Sequence, residues 1–166
     1  MELWFSEYHT PDVKHSIRVN RHLYSHQSEY QQIDIYDTPE FGRALVLDGN
    51  VMLTERDEFI YDEMITHVPM AAHPGIRDVL VIGAGDGGVV KELTRYTSIQ
   101  RIDLVEMDYQ VVEACRLYLP ENASKLDDER VHIYFDNALR FIRRCKDAYD
   151  LIIVDSMDPF GPSEGH

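Results

Sequence analysis

Cysteine is scarce: the 166 residues hold two, Cys115 and Cys145. Both fall in helical patterns and neither belongs to a paired-cysteine motif. They read as buried thiols of a reducing compartment, which excludes a disulfide framework and a cysteine metal site. Long apolar runs are missing too. No stretch approaches the roughly 20 apolar residues that cross a bilayer. The opening Met1-Glu2-Leu3-Trp4-Phe5 lacks the basic start and extended apolar segment of a secretory signal. A cytoplasmic protein without membrane attachment is expected. Positive charge is in deficit: 16 Lys and Arg stand against 30 Asp and Glu, a formal net charge of −14. Gripping a phosphate backbone needs clustered Lys and Arg, so a nucleic acid is not an expected partner. The same field draws in a cationic small molecule. Histidine spacing is uninformative. His22 and His26 sit in a strand pattern without a third ligand nearby, so no metal is expected.

What is present is a core-forming chain with two periods. Apolar residues make up 44%. From Ser16 to Thr54 the pattern is short strands. Ser16 to His26 is one candidate. Gln31 to Asp37 alternates, with Gln31, Ile33 and Ile35 on one face. Ala44 to Leu47 and Val51 to Thr54 flank Asp48-Gly49-Asn50, a strong hairpin signal. Thr54-Glu55-Arg56-Asp57 resembles a capping box. The helix after it should run to about His67, limited by Pro69 and Pro74, with its apolar face in the core.

From Asp78 onward strand and helix alternate. Strands are expected at Val79–Ile82, Ile102–Val105, Val131–Phe135 and Leu151–Val154. Helices are expected at Gly87–Tyr96, Tyr109–Leu119 and Leu139–Lys146. Strands apolar on both faces, separated by single helices, indicate a parallel sheet covered on both sides. The fold class is therefore α/β: a Rossmann-like, methyltransferase-like parallel sheet (residues 55–166) preceded by a small antiparallel β domain (residues 1–54).

The chemistry concentrates at strand ends. Gly83-Ala84-Gly85-Asp86-Gly87-Gly88 fits G-x-G-x-x-G, follows a strand and opens a helix. Glu106 ends the next strand, where an acid commonly grips ribose hydroxyls. Asp136 with Asn137, and Asp155 with Asp158, stand at the next two ends. Ligands of open parallel sheets bind at such ends, so these acids should converge on one crevice. Asp86 is the informative one. A carboxylate inside the glycine turn would repel a pyrophosphate, so it argues against a dinucleotide and for an ammonium group. Asp155 ends an apolar strand, where burial raises its pKa and suits it to accept a proton. Asp158 adds a second negative charge, matching a diamine.

These residues resemble the spermidine synthases, a family of aminopropyltransferases. The matching stretches are Tyr30-Gln31, Leu47-Asp48-Gly49, Glu55 to Tyr61, His67-Val68-Pro69, Gly83 to Gly88, Val105 to Asp108, and Asp155 to Pro162. The resemblance implies transfer of the aminopropyl group of decarboxylated S-adenosylmethionine to putrescine, giving spermidine and methylthioadenosine. It implies a co-substrate and no prosthetic group. Gly83 and Gly85 would approach the nucleoside, Gln31 would contact it, and Glu106 would bind its ribose hydroxyls. Asn137, Ala138 and Pro162 would lie at the adenine. Asp86 and Asp155 would hold the aminopropyl ammonium, and Asp155 would also take the proton of the attacking amine. Tyr61 and Asp158 would position the diamine, with Asp62 beside them. A homodimer or homotetramer is implied.

Three departures from the family pattern stand out. Ala84 replaces the middle glycine of the turn. Asn137-Ala138 replaces Asp-Gly at the adenine. Asp62 stands where His or Gln is usual; as an extra negative charge it should favour a longer or more basic amine. The chain is also shorter than the family, which leaves the Leu151–Val154 strand at an open edge and predicts little turnover by the 166 residues alone. Two alternatives compete: a truncated, inactive or partner-dependent nucleoside- or polyamine-binding module, and a methyltransferase using ordinary S-adenosylmethionine.

Overall fold

The computed structural model describes residues 2–146 and 149–156. Six antiparallel strands come first: β1 (Leu3–Thr10), β2 (Val13–Val19), β3 (Arg21–Gln27), β4 (Gln32–Thr38), β5 (Gly42–Leu47) and β6 (Asn50–Thr54). β1 and β2 form a two-stranded hairpin, and β3-β4-β5-β6 form a sheet in sequence order. The β5–β6 turn is as expected. Asp48 and Gly49 both take positive φ, +48° and +81°, and Leu47 pairs with Asn50 across them. Such a turn matches the right-handed twist of its strands.

The expected strand over Ser16–His26 is two strands in two sheets. The chain breaks at Asn20, whose N–H donates to the Asp37 carbonyl at 2.8 Å. β1 was not expected. Leu3, Trp4 and Tyr8 are all exposed, so the strand shows no clean buried period.

Helix α1 (Glu58–Ala72) departs from expectation at both ends and on its face. Thr54 does not cap it; its hydroxyl donates instead to the Asp57 carboxylate at 2.5 Å. Pro69 lies inside the helix, at the cost of one N–H donor, because Met70 beyond it is buried and anchors the last turn. The buried stripe is Asp62, Thr66 and Met70, whereas Phe59, Ile60, Met64 and Val68 are exposed. The inward face thus carries a carboxyl group, and the apolar face is not core.

The second sheet is parallel throughout, in the order β10 (Leu151–Asp155), β7 (Asp78–Gly83), β8 (Arg101–Glu106), β9 (Val131–Phe135). β10 stands at one end, as expected. Helices α2 (Gly88–Leu93), α3 (Tyr109–Tyr118) and α4 (Ala138–Arg144) connect these strands, and a 3-10 turn spans Asn122–Lys125. α2 ends three residues before Tyr96. β7 and β8 are buried on both faces, but Ile152 and Val154 of β10 are exposed, so the sheet is not covered throughout. Cys115 is buried; Cys145 is only partly so.

Two apolar clusters fix the site. One packs α1 and α2 on the parallel sheet through Val79, Val81, Val89, Leu93 and Leu104. The other joins Ile33, Ile35, Leu45 and Leu47 of the antiparallel sheet to Val111, Ala114, Cys115 and Leu119 around α3. Burying each such Leu or Ile contributes about 1.5–3 kcal/mol. The antiparallel sheet is thereby held against the carboxyl ends of the parallel strands.

Candidate active site

A cavity of about 1220 Å³ opens where those strand ends meet the antiparallel sheet. Its wall includes Gln31, Tyr61, Asp62, Gly83, Gly85, Asp86, Glu106, Asn137, Ala138 and Asp155. Ten residues singled out in the sequence thus share one space. Asp158 and Pro162 lie outside the described residues.

The glycine turn owes its shape to close approaches. Gly83 has φ +80°, and a Cβ there would lie 1.8 Å from the Asp155 carbonyl oxygen. No larger residue lets β10 come this near. A Cβ on Gly85 would lie 2.7 Å from Glu106 Oε2, so this glycine opens the space that Glu106 faces. Ala84, the departure from the family pattern, takes φ +58° itself.

Burial raises the acids at the strand ends of this wall from their ordinary values. Asp86 is raised by burial and by Glu58, against the N–H of Gly88, which donates to its Oδ1 at 2.9 Å. Glu106 is raised by burial, then by Asp108 and Asp86, although it accepts the Asp108 N–H at 2.9 Å. Asp155 is pushed up to about 6 by burial and by Asp86, while the Tyr61 hydroxyl, donating at 2.9 Å, pulls it back. The charges that raise each of them belong to other acids. A cation entering here relieves that repulsion.

Two residues at the end of β9 have partners within the chain. Asp136 adds little free negative charge, because Arg140 and Arg144 pair with it. Its neighbour Asn137 caps α4, its Oδ1 accepting the Arg140 N–H at 3.2 Å, which leaves that oxygen its second lone pair.

Asp62, expected as an added negative charge, lies in the cavity wall. It is buried, and burial followed by a hydrogen bond with Glu58 pushes it up to about 9. Its Oδ2 lies against Gly88, where a Cβ would come within 2.0 Å. Lys91 neutralises Glu58 at 2.9 Å. Burial thus favours the uncharged form of Asp62. Its folded pKa exceeds its ordinary 3.8, so its contribution to stability is complete below that value and is lost as pH rises toward 9. Asp62→Asn keeps the shape and the donor but does not titrate. Its melting temperature should gain on wild type progressively as pH rises from about 4 to 9. A difference independent of pH would contradict a protonated Asp62.

Sequence reasoning missed Glu58, Lys91 and the pair Ser28–Asp108. Ser28 Oγ donates to Asp108 Oδ2 at 2.6 Å across 80 positions. No local pattern announces such a contact.

Comparison with known proteins follows the same geometry. The family model for the spermine/spermidine synthase domain matches residues 58–166. The chain belongs to the spermine/spermidine synthase family. A second model, the spermidine synthase tetramerisation domain, matches residues 3–55. The polyamine aminopropyltransferase of Alkaliphilus oremlandii is 61% identical over 165 residues, covering 99% of this chain and 58% of that protein. That of Clostridium botulinum strain Alaska E43 has the same identity and coverage. Among solved structures, spermidine synthase from Thermotoga maritima superposes with TM-score 0.90 at 44% identity, over 95% of this chain and 54% of that one. A spermidine synthase in complex with the transition state analogue AdoDATO gives TM-score 0.89 at 43% identity, over 93% and 54%. The fold is therefore that of the spermidine synthases, and the chain spans 58% of the length of the first curated relatives. No helix among the described residues is long and apolar enough to cross a membrane.

Proposed function

We propose that this site transfers the aminopropyl group of decarboxylated S-adenosylmethionine to putrescine, yielding spermidine and methylthioadenosine. The observation that carries the reading is Asp86 inside the glycine turn, in one cavity with Glu106 and with Asp155 held by Tyr61. The relatives named polyamine aminopropyltransferase support it.

Glu106 accepts from the ribose hydroxyls, beside Gly85. Gln31 contacts the nucleoside, and Asn137 and Ala138 border the adenine. Asp86 and Asp155 hold the ammonium of the aminopropyl group. The unprotonated amine of putrescine attacks the carbon next to the sulfonium. The carbon–sulfur bond breaks with its electron pair going to sulfur, which leaves a neutral thioether. The attacking nitrogen passes a proton to Asp155. Alignment and exclusion of water supply most of the rate. Tyr61 sets the Asp155 carboxylate, and the uncharged Asp62 shapes the diamine end without adding charge. In Asp158 and Pro162 the reading adds a second diamine contact and an adenine contact.

The unit is taken as residues 1–54 followed by 55–166, working in the cytoplasm as a homodimer or homotetramer. Exposed Leu3, Trp4 and Tyr8 on β1 support assembly through the first of these. The test is direct. The complete product of the coding sequence is incubated with decarboxylated S-adenosylmethionine and a panel of putrescine, cadaverine, agmatine and spermidine. Mass analysis should find methylthioadenosine and spermidine from putrescine. Absence of methylthioadenosine with every amine would refute aminopropyl transfer.

A further inference from the structure

Asp108 touches both nucleoside-facing acceptors of the cavity, yet does not itself line it. It is 1% exposed and sits at the start of α3, where its Oδ1 caps the helix by accepting the Gln110 N–H at 3.0 Å. Its Oδ2 accepts the Ser28 hydroxyl at 2.6 Å and the Gln31 side-chain N–H at 3.1 Å. Its own backbone N–H donates to Glu106 Oε1 at 2.9 Å. Ser28 in turn accepts the N–H groups of Tyr30 and Gln31, each at 3.0 Å, which tightens the loop that carries Gln31.

These bonds decide what the cavity offers. A carboxylate only accepts, so the Gln31 amide must turn its NH₂ toward Asp108. The amide flip, otherwise ambiguous, is thereby set. The Gln31 carbonyl oxygen is thereby turned away from Asp108 and toward the cavity. Glu106 is treated alike: Oε1 is engaged by Asp108, and Oε2 remains beside Gly85.

We propose that Asp108 is a positioning residue that presents Gln31 and Glu106 as a matched pair of acceptors for the vicinal hydroxyls of the nucleoside. The inference rests on the aminopropyl-transfer reading for the identity of that nucleoside. It goes beyond that reading by giving the recognition a polarity: the acceptor oxygens of Gln31 and Glu106 face the ligand, and that orientation is imposed from outside the cavity by Asp108.

Asp108→Asn isolates the effect. Asn is as good a helix cap as Asp, so α3 keeps its start. Its NH₂ then faces Ser28 and Gln31, donor against donor, and the Gln31 amide turns over to present NH₂ to the cavity. The experiment measures binding of methylthioadenosine and of its 2′-deoxy and 3′-deoxy analogues by calorimetry, for wild type, Asp108→Asn and Gln31→Ala. Wild type should lose about 10-fold or more on removal of the hydroxyl that meets Gln31, as expected for a hydrogen bond to a buried polar group. Both variants should bind methylthioadenosine about 10-fold more weakly and lose that discrimination, with melting temperatures near wild type. The double variant should be no worse than the worse single one, because the two act as a unit. Equal weakening of all three ligands by Asp108→Asn, or no weakening, would overturn the proposal while leaving the function standing. Failure of wild type to bind methylthioadenosine would overturn the functional reading, and this inference with it. If Asp108→Asn melts early, Gln31→Ala alone decides: retained discrimination between the analogues overturns the pairing.

Discussion

Asp155→Asn should lower kcat by about 10²–10⁴-fold, the range for loss of a positioned general base. The KM for the nucleoside should change less, because Glu106 and Gln31 remain and Asp86 still holds the ammonium. Asn keeps the shape and still accepts the Tyr61 hydroxyl bond of 2.9 Å, so the fold is spared. On the proposed function, what disappears is the group that takes the proton. The pH profile carries the same signature. Burial and Asp86 hold Asp155 at about 6, so kcat/KM of wild type should fall as pH drops through that value. Below it Asp155 is protonated and cannot accept. The acid limb should be absent from the residual activity of Asp155→Asn. A variant retaining most of its kcat would remove Asp155 from the chemistry.

Glu106→Gln should weaken methylthioadenosine binding by about 10–100-fold, since a hydrogen bond to a charged acceptor contributes about 1.5–3 kcal/mol. The expected loss in binding is not a loss in stability. Glu106 is raised by burial and by its acidic neighbours, so a neutral amide relieves repulsion in the empty site. The melting temperature without ligand should stay level or rise while affinity falls. Calorimetry and thermal unfolding on the same samples separate the two. Unchanged affinity would place the ribose elsewhere.

How much of this was legible in the sequence depends on whether the cause was local. The Asp48-Gly49 turn is set by residues in immediate sequence, and the Gly83–Gly88 turn announces itself in its glycine pattern even though Asp155 and Glu106 crowd it from elsewhere; both were legible. So were the parallel strands, since Val79–Ile82 and Ile102–Val105 are apolar enough to demand burial on both faces. Convergence of Asp86, Glu106 and Asp155 followed from the topology of such sheets. The face of α1 was not legible. Its period is helical, but Asp62 turns inward against Gly88, and Phe59, Ile60 and Met64 are exposed, the last two on the cavity wall. Hydrophobic period alone gives the opposite orientation. Nor does sequence spacing reveal that Ser28 meets Asp108, 80 positions away, because that contact depends on which elements the fold places side by side.

The central claim is that Asp86 converts a nucleotide turn into a site for an ammonium group and against a carboxylate. Two unit charges about 4 Å apart repel by roughly 4 kcal/mol at an effective dielectric near 20. Even a quarter of that energy separates two ligands several-fold. Competitive calorimetry of decarboxylated against ordinary S-adenosylmethionine measures it in one experiment. The decarboxylated form should bind at least about 10-fold more tightly, and Asp86→Asn should narrow the gap. Equal or tighter binding of ordinary S-adenosylmethionine would contradict the account.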